Sequence, residues 1–284
     1  MNPLIRAEQL DDQFAHHQVV LLDARGGADA QQRFAARSLP GAIFVDWDTD
    51  LSTKRESPAN GGRHPLPTPR DFVAKCTRWG IGPETHVVIF DDKGGANAAA
   101  RAWWMFKALG HSHVAVLDGG LSAVPLEWHP PQLAAVERTL SSVATTDFGK
   151  TDQWQLPTAD LNEVEIAARN RDYLVVDVRE GFRYRGESEP IDLVAGHIPG
   201  AVNCPYTENL DAQGRFLPPN ELRMKYQDLF SGREPGNVII HCGSGVTACH
   251  TLLALCRAGL DGAKLYVGSW SEWSRNDKPI ATGS

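Results

Sequence analysis

No apolar run in this chain approaches the ~18 residues of a membrane-spanning helix. The N-terminal stretch MNPLIRAEQLDDQF has no hydrophobic export core. Positive charge is in deficit: 28 Lys and Arg stand against 35 Asp and Glu, a formal net charge of -7. That balance argues against nucleic acid or an anionic membrane as the main partner. Cysteine is scarce. The five residues Cys76, Cys204, Cys242, Cys249 and Cys256 are odd in number. They form no C-x-x-C pair and no Cys/His group with zinc-like spacing, so neither a disulfide framework nor a metal site is expected. Without an export signal the thiols are expected free, in a reducing, cytoplasmic setting. What is present, 42% hydrophobic and 22% charged residues, is the composition of an ordinary soluble globular protein. A length of 284 residues suits two domains of roughly 140.

The chain repeats itself. VVLLDARGG (Val19 to Gly27) resembles YLVVDVREG (Tyr173 to Gly181), and SLPGAIFVD (Ser38 to Asp46) resembles HIPGAVNCP (His197 to Pro205). GPETHVVIFDD (Gly82 to Asp92) resembles EPGNVIIHCG (Glu234 to Gly243), and each is followed by a helical run ending in Gly. Such self-similarity in a fixed order indicates two copies of one domain. Each copy reads strand, loop, strand, helix, strand. The strands are short and apolar on both faces, which fits a parallel sheet covered by helices. Asp160 with Glu163, and Asn220, signal helix starts. The expected class is α/β, two tandem domains, each an open, mainly parallel sheet flanked by helices. The Pro pair and polar residues between His129 and Thr151 mark the connection. The expected limits are 1–135 for a non-catalytic first domain, 136–155 for the linker and 156–284 for a catalytic second domain.

Register between the copies sets Cys242 opposite Asp91, and His197 opposite Ser38. A thiol needed for packing could have been kept in both halves, so chemistry belongs to the second. Cys242 ends a strand and opens a loop of small residues, Gly243-Ser244-Gly245-Val246-Thr247, before a helix. Backbone N–H groups of such a loop can form an anion nest at the positive end of the helix dipole. A thiol there would be a low-pKa nucleophile. Cys249, Cys256, Cys204 and Cys76 read as core packing instead. Other glycine-rich chemistries fit less well. The loop has no lysine for a phosphate-binding P-loop and Ala248 where a dinucleotide fingerprint needs glycine. Ala248 also replaces the arginine of a cysteine phosphatase H-C-x5-R signature, so a phosphate dianion would lack its bidentate partner.

CGSGVTAC, GHIPGAVN, RYRGESEP and the closing GSWSEW resemble the two-domain sulfurtransferases, a family that includes thiosulfate and 3-mercaptopyruvate sulfurtransferases. The resemblance covers nearly the whole chain, and its cysteine loop is similar to the mercaptopyruvate type. It implies a ping-pong reaction without a cofactor. Cys242 takes sulfur from 3-mercaptopyruvate, releases pyruvate, and passes the sulfur from a persulfide to a small thiol, to reduced thioredoxin, or to cyanide in an assay. It implies Arg183 and, as a poorer match, Arg185 as binders of the substrate carboxylate, Gly243, Gly245, Val246 and Thr247 as the binding loop, and Ser244 acting on the substrate thiol or carbonyl. Asp48 and His64, from the first half, would relay protons towards Ser244. One departure is visible: Ile191 or Asp192 stands where the family has a second substrate arginine. That shortfall predicts a raised KM for mercaptopyruvate. It leaves thiosulfate as an alternative donor, and a persulfide carrier serving a partner protein as a further reading.

Overall fold

The computed structural model describes residues 2–96, 98–130, 148 and 152–283. Most of the expected linker, 136–147 and 149–151, lies outside the described residues. The chain divides into two compact units, one of Met1–Leu51 with Pro67–Gln155, the other of Ser52–Leu66 with Leu156–Ser284. The sequence reading placed 52–66 with the first half. The segment instead packs with the second unit, through bonds described below.

The first unit runs β1 (Leu4–Ile5), α1 (Leu10–His16), β2 (Val19–Arg25), α2 (Ala30–Ala36), β3 (Ile43–Asp46), α3 (Pro69–Arg78), β4 (His86–Phe90), α4 (Ala98–Ala108) and β5 (Val114–Leu117). Its sheet has the order β1-β5-β4-β2-β3, and every pairing is parallel. The second unit repeats this with β6 (Thr158–Ala159), α5 (Leu161–Ala168), β7 (Leu174–Asp177), α6 (Gly181–Tyr184), β8 (Val202–Asn203), α7 (Pro219–Phe230), β9 (Val238–His241), α8 (Ala248–Ala258), β10 (Lys264–Tyr266) and α9 (Ser269–Trp273). Its order, β6-β10-β9-β7-β8, is again all parallel. The edge strands β1 and β6 were not anticipated. With two residues each, they carry no periodicity to read.

Local signals explain where elements begin and stop. Asp160 caps α5 by accepting from Glu163 N at 2.9 Å. Asn220 is not the cap of α7: the helix opens one residue earlier, at Pro219, whose fixed φ and missing N–H suit the first helical position. Gly259 closes α8 in the left-handed region, φ 69°. The central strands are buried along nearly their whole length because helices cover both faces. Each sheet also buries an ion pair from its repeat motif: Arg25 with Asp23 at 2.7 Å, Arg179 with Asp177 at 2.6 Å.

Two buried histidines tie this packing to pH. In the first unit His111 donates from Nε2 to Thr85 O at 3.0 Å, and burial pushes its pKa down to about 4. In the second, His250 on α8 stacks on Phe216 at 4.3 Å and meets Tyr206 edge-on. Burial, with Lys225 nearby, pushes it down to about 3. The unfolded chain takes up a proton near the ordinary value of 6.5 that the folded chain refuses. Stability is therefore full above that pH and falls as pH drops, each histidine removing ~1.4 kcal/mol per pH unit from the unit that holds it. Denaturant midpoints should fall between about pH 6.5 and about pH 5, before carboxylates begin to titrate. His250→Phe should flatten that slope for the second unit. An unchanged slope in the variant would show that another group carries the proton linkage.

Candidate active site

In the second unit β9 ends at His241, Cys242 follows, and the loop 243–247 leads into α8. The segment around α9 fixes this loop by three hydrogen bonds. Cys242 N donates to Ser269 Oγ at 3.2 Å, Trp270 N to Cys242 O at 3.0 Å, and Ser271 N to Gly243 O at 2.8 Å. Gly245 turns the chain at φ 74°; a Cβ there would lie 2.4 Å from Val267 O. Cys242 is 3% exposed and forms no disulfide.

The first unit shows what this strand-to-helix loop is suited to hold. Asp91 stands just past β4 as Cys242 stands just past β9. Its carboxylate accepts from Lys93 N and Gly95 N, both at 2.8 Å, and from Ala99 N at 3.2 Å. The nest of N–H groups is there occupied by the chain's own anion. At the matching place the second unit carries a thiol.

Residues 52–66 deliver two side chains to this loop. Gly61 N donates to Glu272 Oε1 at 2.7 Å, Arg63 N to Ser271 Oγ at 3.0 Å, and Asn276 Nδ2 to Ala59 O at 2.9 Å. Gly62, at φ 81°, passes so close to α9 that a Cβ would sit 2.4 Å from Gly268 O. His64, held by this clamp, forms a 2.7 Å hydrogen bond between its Nδ1 and Ser244 Oγ, with both residues buried. An unprotonated Nδ1 accepts the serine proton, and a protonated one donates to the serine oxygen, so the pair can move a proton either way.

Charge surrounds the loop. Of the two arginines in GFRYRG, it is Arg183 that comes against Gly243, with Nη2 3.3 Å from where a Cβ would be. Arg185 is turned to Glu187 at 2.6 Å and half-exposed. Arg183 pairs with Glu189 at 2.7 Å, and Glu189 also takes Arg179 at 3.1 Å. Burial pushes Glu189 up, but the hydrogen bond from Arg183 and two backbone N–H groups hold its carboxyl below the usual range. Burial likewise pushes Asp177 up, and the neighbouring His241 and Arg179 more than offset it. His241, 3.8 Å from Asp177, is driven down by burial. Val246, within the loop, is buried, and Thr247 is partly exposed at the foot of α8. Asp48 belongs to the first unit, where it accepts from Trp47 Nε1 at 3.0 Å. The sequence reading missed Arg63, whose Nη2 also lies 3.3 Å from the Cβ position of Gly243. It missed Arg275 as well, which meets Asp192 at 2.9 Å. The available signal for Arg63 was its place beside His64.

A tandem pair of parallel α/β units, with a cysteine loop in one and a carboxylate-filled copy of that loop in the other, defines a class of two-domain protein. Residues 6–125 and 160–276 each match the Rhodanese-like domain, and the chain belongs to that family. It is 40% identical over 99% of its length to a Pseudomonas aeruginosa protein named "Probable 3-mercaptopyruvate sulfurtransferase", covering 98% of that protein. It is 37% identical to the human 3-mercaptopyruvate sulfurtransferase, covering 96% of this chain and 91% of that one. Among solved structures, the Leishmania major 3-mercaptopyruvate sulfurtransferase aligns with a TM-score of 0.76 at 28% identity, over 95% of this chain and 74% of that one. Among the described residues no helix is long and apolar enough to cross a membrane.

Proposed function

We propose that this chain is a sulfurtransferase that moves sulfur from 3-mercaptopyruvate to a thiol acceptor through a persulfide on Cys242. The Cys242 thiolate attacks the donor sulfur. The S–S bond forms as the C–S bond breaks, and its electron pair passes to carbon as the enolate of pyruvate. A proton then reaches that carbon, giving pyruvate. An acceptor thiolate takes the outer sulfur and returns Cys242 to the thiolate. Reduced thioredoxin and small thiols fit as acceptors, and a reducing, cytoplasmic compartment suits the five free thiols.

The observation that carries the choice of donor is the 2.7 Å bond between His64 and Ser244, two residues after the nucleophile. A carbon leaving group needs a polarised carbonyl and a delivered proton. Thiosulfate, which releases sulfite, needs neither. Arg183 beside Gly243 supplies a cation for the donor carboxylate. Arg185, paired with Glu187, takes a peripheral role. Purified protein should be given 3-mercaptopyruvate or thiosulfate with a thiol or cyanide acceptor while pyruvate or sulfite is followed. A kcat/KM at least ~10-fold higher for mercaptopyruvate is expected. A preference for thiosulfate would overturn the donor assignment. A stable persulfide without turnover would point to a carrier.

A further inference from the structure

We propose that Arg63 is a donor-binding residue. With Arg183 it forms a two-guanidinium seat for the single carboxylate of the donor, and Asp192 sets that seat to one net positive charge. This rests on the sulfur-transfer reading above and assigns it a residue far from the cysteine motif in sequence.

The geometry starts at Gly243, the residue after the nucleophile. The Nη2 atoms of Arg63 and Arg183 both lie 3.3 Å from the point a Cβ would occupy there. Two guanidiniums from distant segments thus flank one face of the loop, and a Cβ on residue 243 would press on both. Arg63 is fixed rather than loose. Its Nε and Nη2 donate to Asp192 Oδ1 and Oδ2 at 3.1 and 3.3 Å, and its backbone N is held by Ser271. Arg275 meets the same carboxylate at 2.9 Å, and Arg183 approaches it at 3.8 Å. Asp192 therefore does more than stand where a cation is missing: it gathers three cations, one of them carried in by residues 52–66.

Charge balance points to the kind of anion. Arg63, Arg179, Arg183 and Arg275 face three buried carboxylates, Asp177, Glu189 and Asp192, whose side chains are at most 2% exposed. Glu180, 3.6 Å from Arg183 but 44% exposed, is screened by solvent. Before the Cys242 thiolate is counted, one positive charge is left over beside the cysteine loop. With the thiolate present, a carboxylate adds one uncompensated negative charge to this largely buried site and a compact dianion adds two, so the monoanion is the smaller burden. Guanidinium forks also suit the planar carboxylate geometry.

The test uses the full chain. Arg63→Gln should raise KM for 3-mercaptopyruvate ~10–100-fold, the loss expected for one charge-assisted contact, with kcat within ~3-fold. Arg63→Lys should recover part of that loss. Persulfide loading of Cys242 from inorganic polysulfide, an anionic donor with no carboxylate, should slow less than ~5-fold, well short of the change in mercaptopyruvate KM, which also reports that the variant is folded. Asp192→Asn raises the excess to two charges and should shift the thiosulfate-to-mercaptopyruvate ratio of kcat/KM upward ~10-fold. An unchanged KM in Arg63→Gln would overturn the proposal while leaving the sulfur-transfer reading intact. So would a loss of kcat at constant KM, which would make Arg63 a positioning residue for His64. Loss of polysulfide loading in both Arg63 variants would show a structural role and overturn it too. Wild-type protein that loads from polysulfide yet ignores mercaptopyruvate would instead remove the donor reading on which the proposal rests.

Discussion

Cys242→Ser lowers turnover with every donor ~10³-fold or more, and the protein no longer gains the mass of one sulfur when donor is added without acceptor. Both half-reactions pass through one atom. A serine hydroxyl is scarcely ionised at neutral pH, and no persulfide can form on oxygen. Three of the other cysteines are poorly suited to substitute. Cys249 is buried in the first turn of α8, its Sγ 3.4 Å from Gly245 O, so its thiol proton is engaged by a carbonyl. Burial pushes the thiols of Cys76 and Cys204 up, away from the ionised form. Cys249→Ser, measured alongside, should keep activity within ~3-fold, since it exchanges one small hydrogen-bond donor for another. Persulfide that still accumulates in the Cys242 variant, located by mass spectrometry of peptides, would remove the assignment of the nucleophile.

Gly245→Ala disables the site without touching a reacting group. Alanine at φ 74° costs ~1 kcal/mol by itself. The larger cost is steric: the new methyl would lie 2.4 Å from Val267 O and 3.0 Å from Val267 Cα, and both are backbone atoms that cannot rotate away. The loop, or the turn from β10 into α9, has to move. That turn leads into Ser269, Trp270 and Ser271, which hold Cys242 and Gly243 by three hydrogen bonds. A displacement of about 1 Å at a nucleophile is worth ~100-fold in rate, and a core clash of this kind ~2–3 kcal/mol in stability. The control is Gly232→Ala, just beyond α7. Gly232 has the same handedness at φ 82°, but nothing lies within 4 Å of its Cβ position. It should lose only ~1 kcal/mol and keep full activity. Thermal midpoints and kcat/KM for the two variants separate steric collapse of the loop from the bare cost of a left-handed residue. Equal behaviour of the two would mean that Val267 does not constrain the loop.

How much of this was legible depended on range. Cys242 and its loop are consecutive, so their chemistry could be read from residue types alone. The register that set Cys242 opposite Asp91 placed both just past a strand, and the carboxylate of Asp91 on three backbone N–H groups bears on the nest reading from the non-catalytic copy. Ser244 and His64 came from family resemblance, with no local pattern linking them. Arg63 left only its place beside His64, because GGRHPLP has no helical or strand period and its meaning lies in what it packs against. Asp192 was misleading alone: it reads as a missing cation until three arginines are seen around it.

The sequence by itself determined two copies of a parallel α/β fold and a nucleophile in the second, because apolar strand runs, glycine-rich turns and a strand-loop-helix cysteine are all short-range patterns. Tertiary structure alone decided that residues 52–66 join the second unit, that Arg183 rather than Arg185 meets the loop, and that Asp192 is balanced by Arg63 and Arg275. Those outcomes are set by hydrogen bonds and charges between residues far apart in the chain, such as Gly61 with Glu272 and Arg63 with Asp192. No periodicity encodes such pairs. They follow from burying charge in a folded unit, where each guanidinium has to find a carboxylate wherever the chain supplies one.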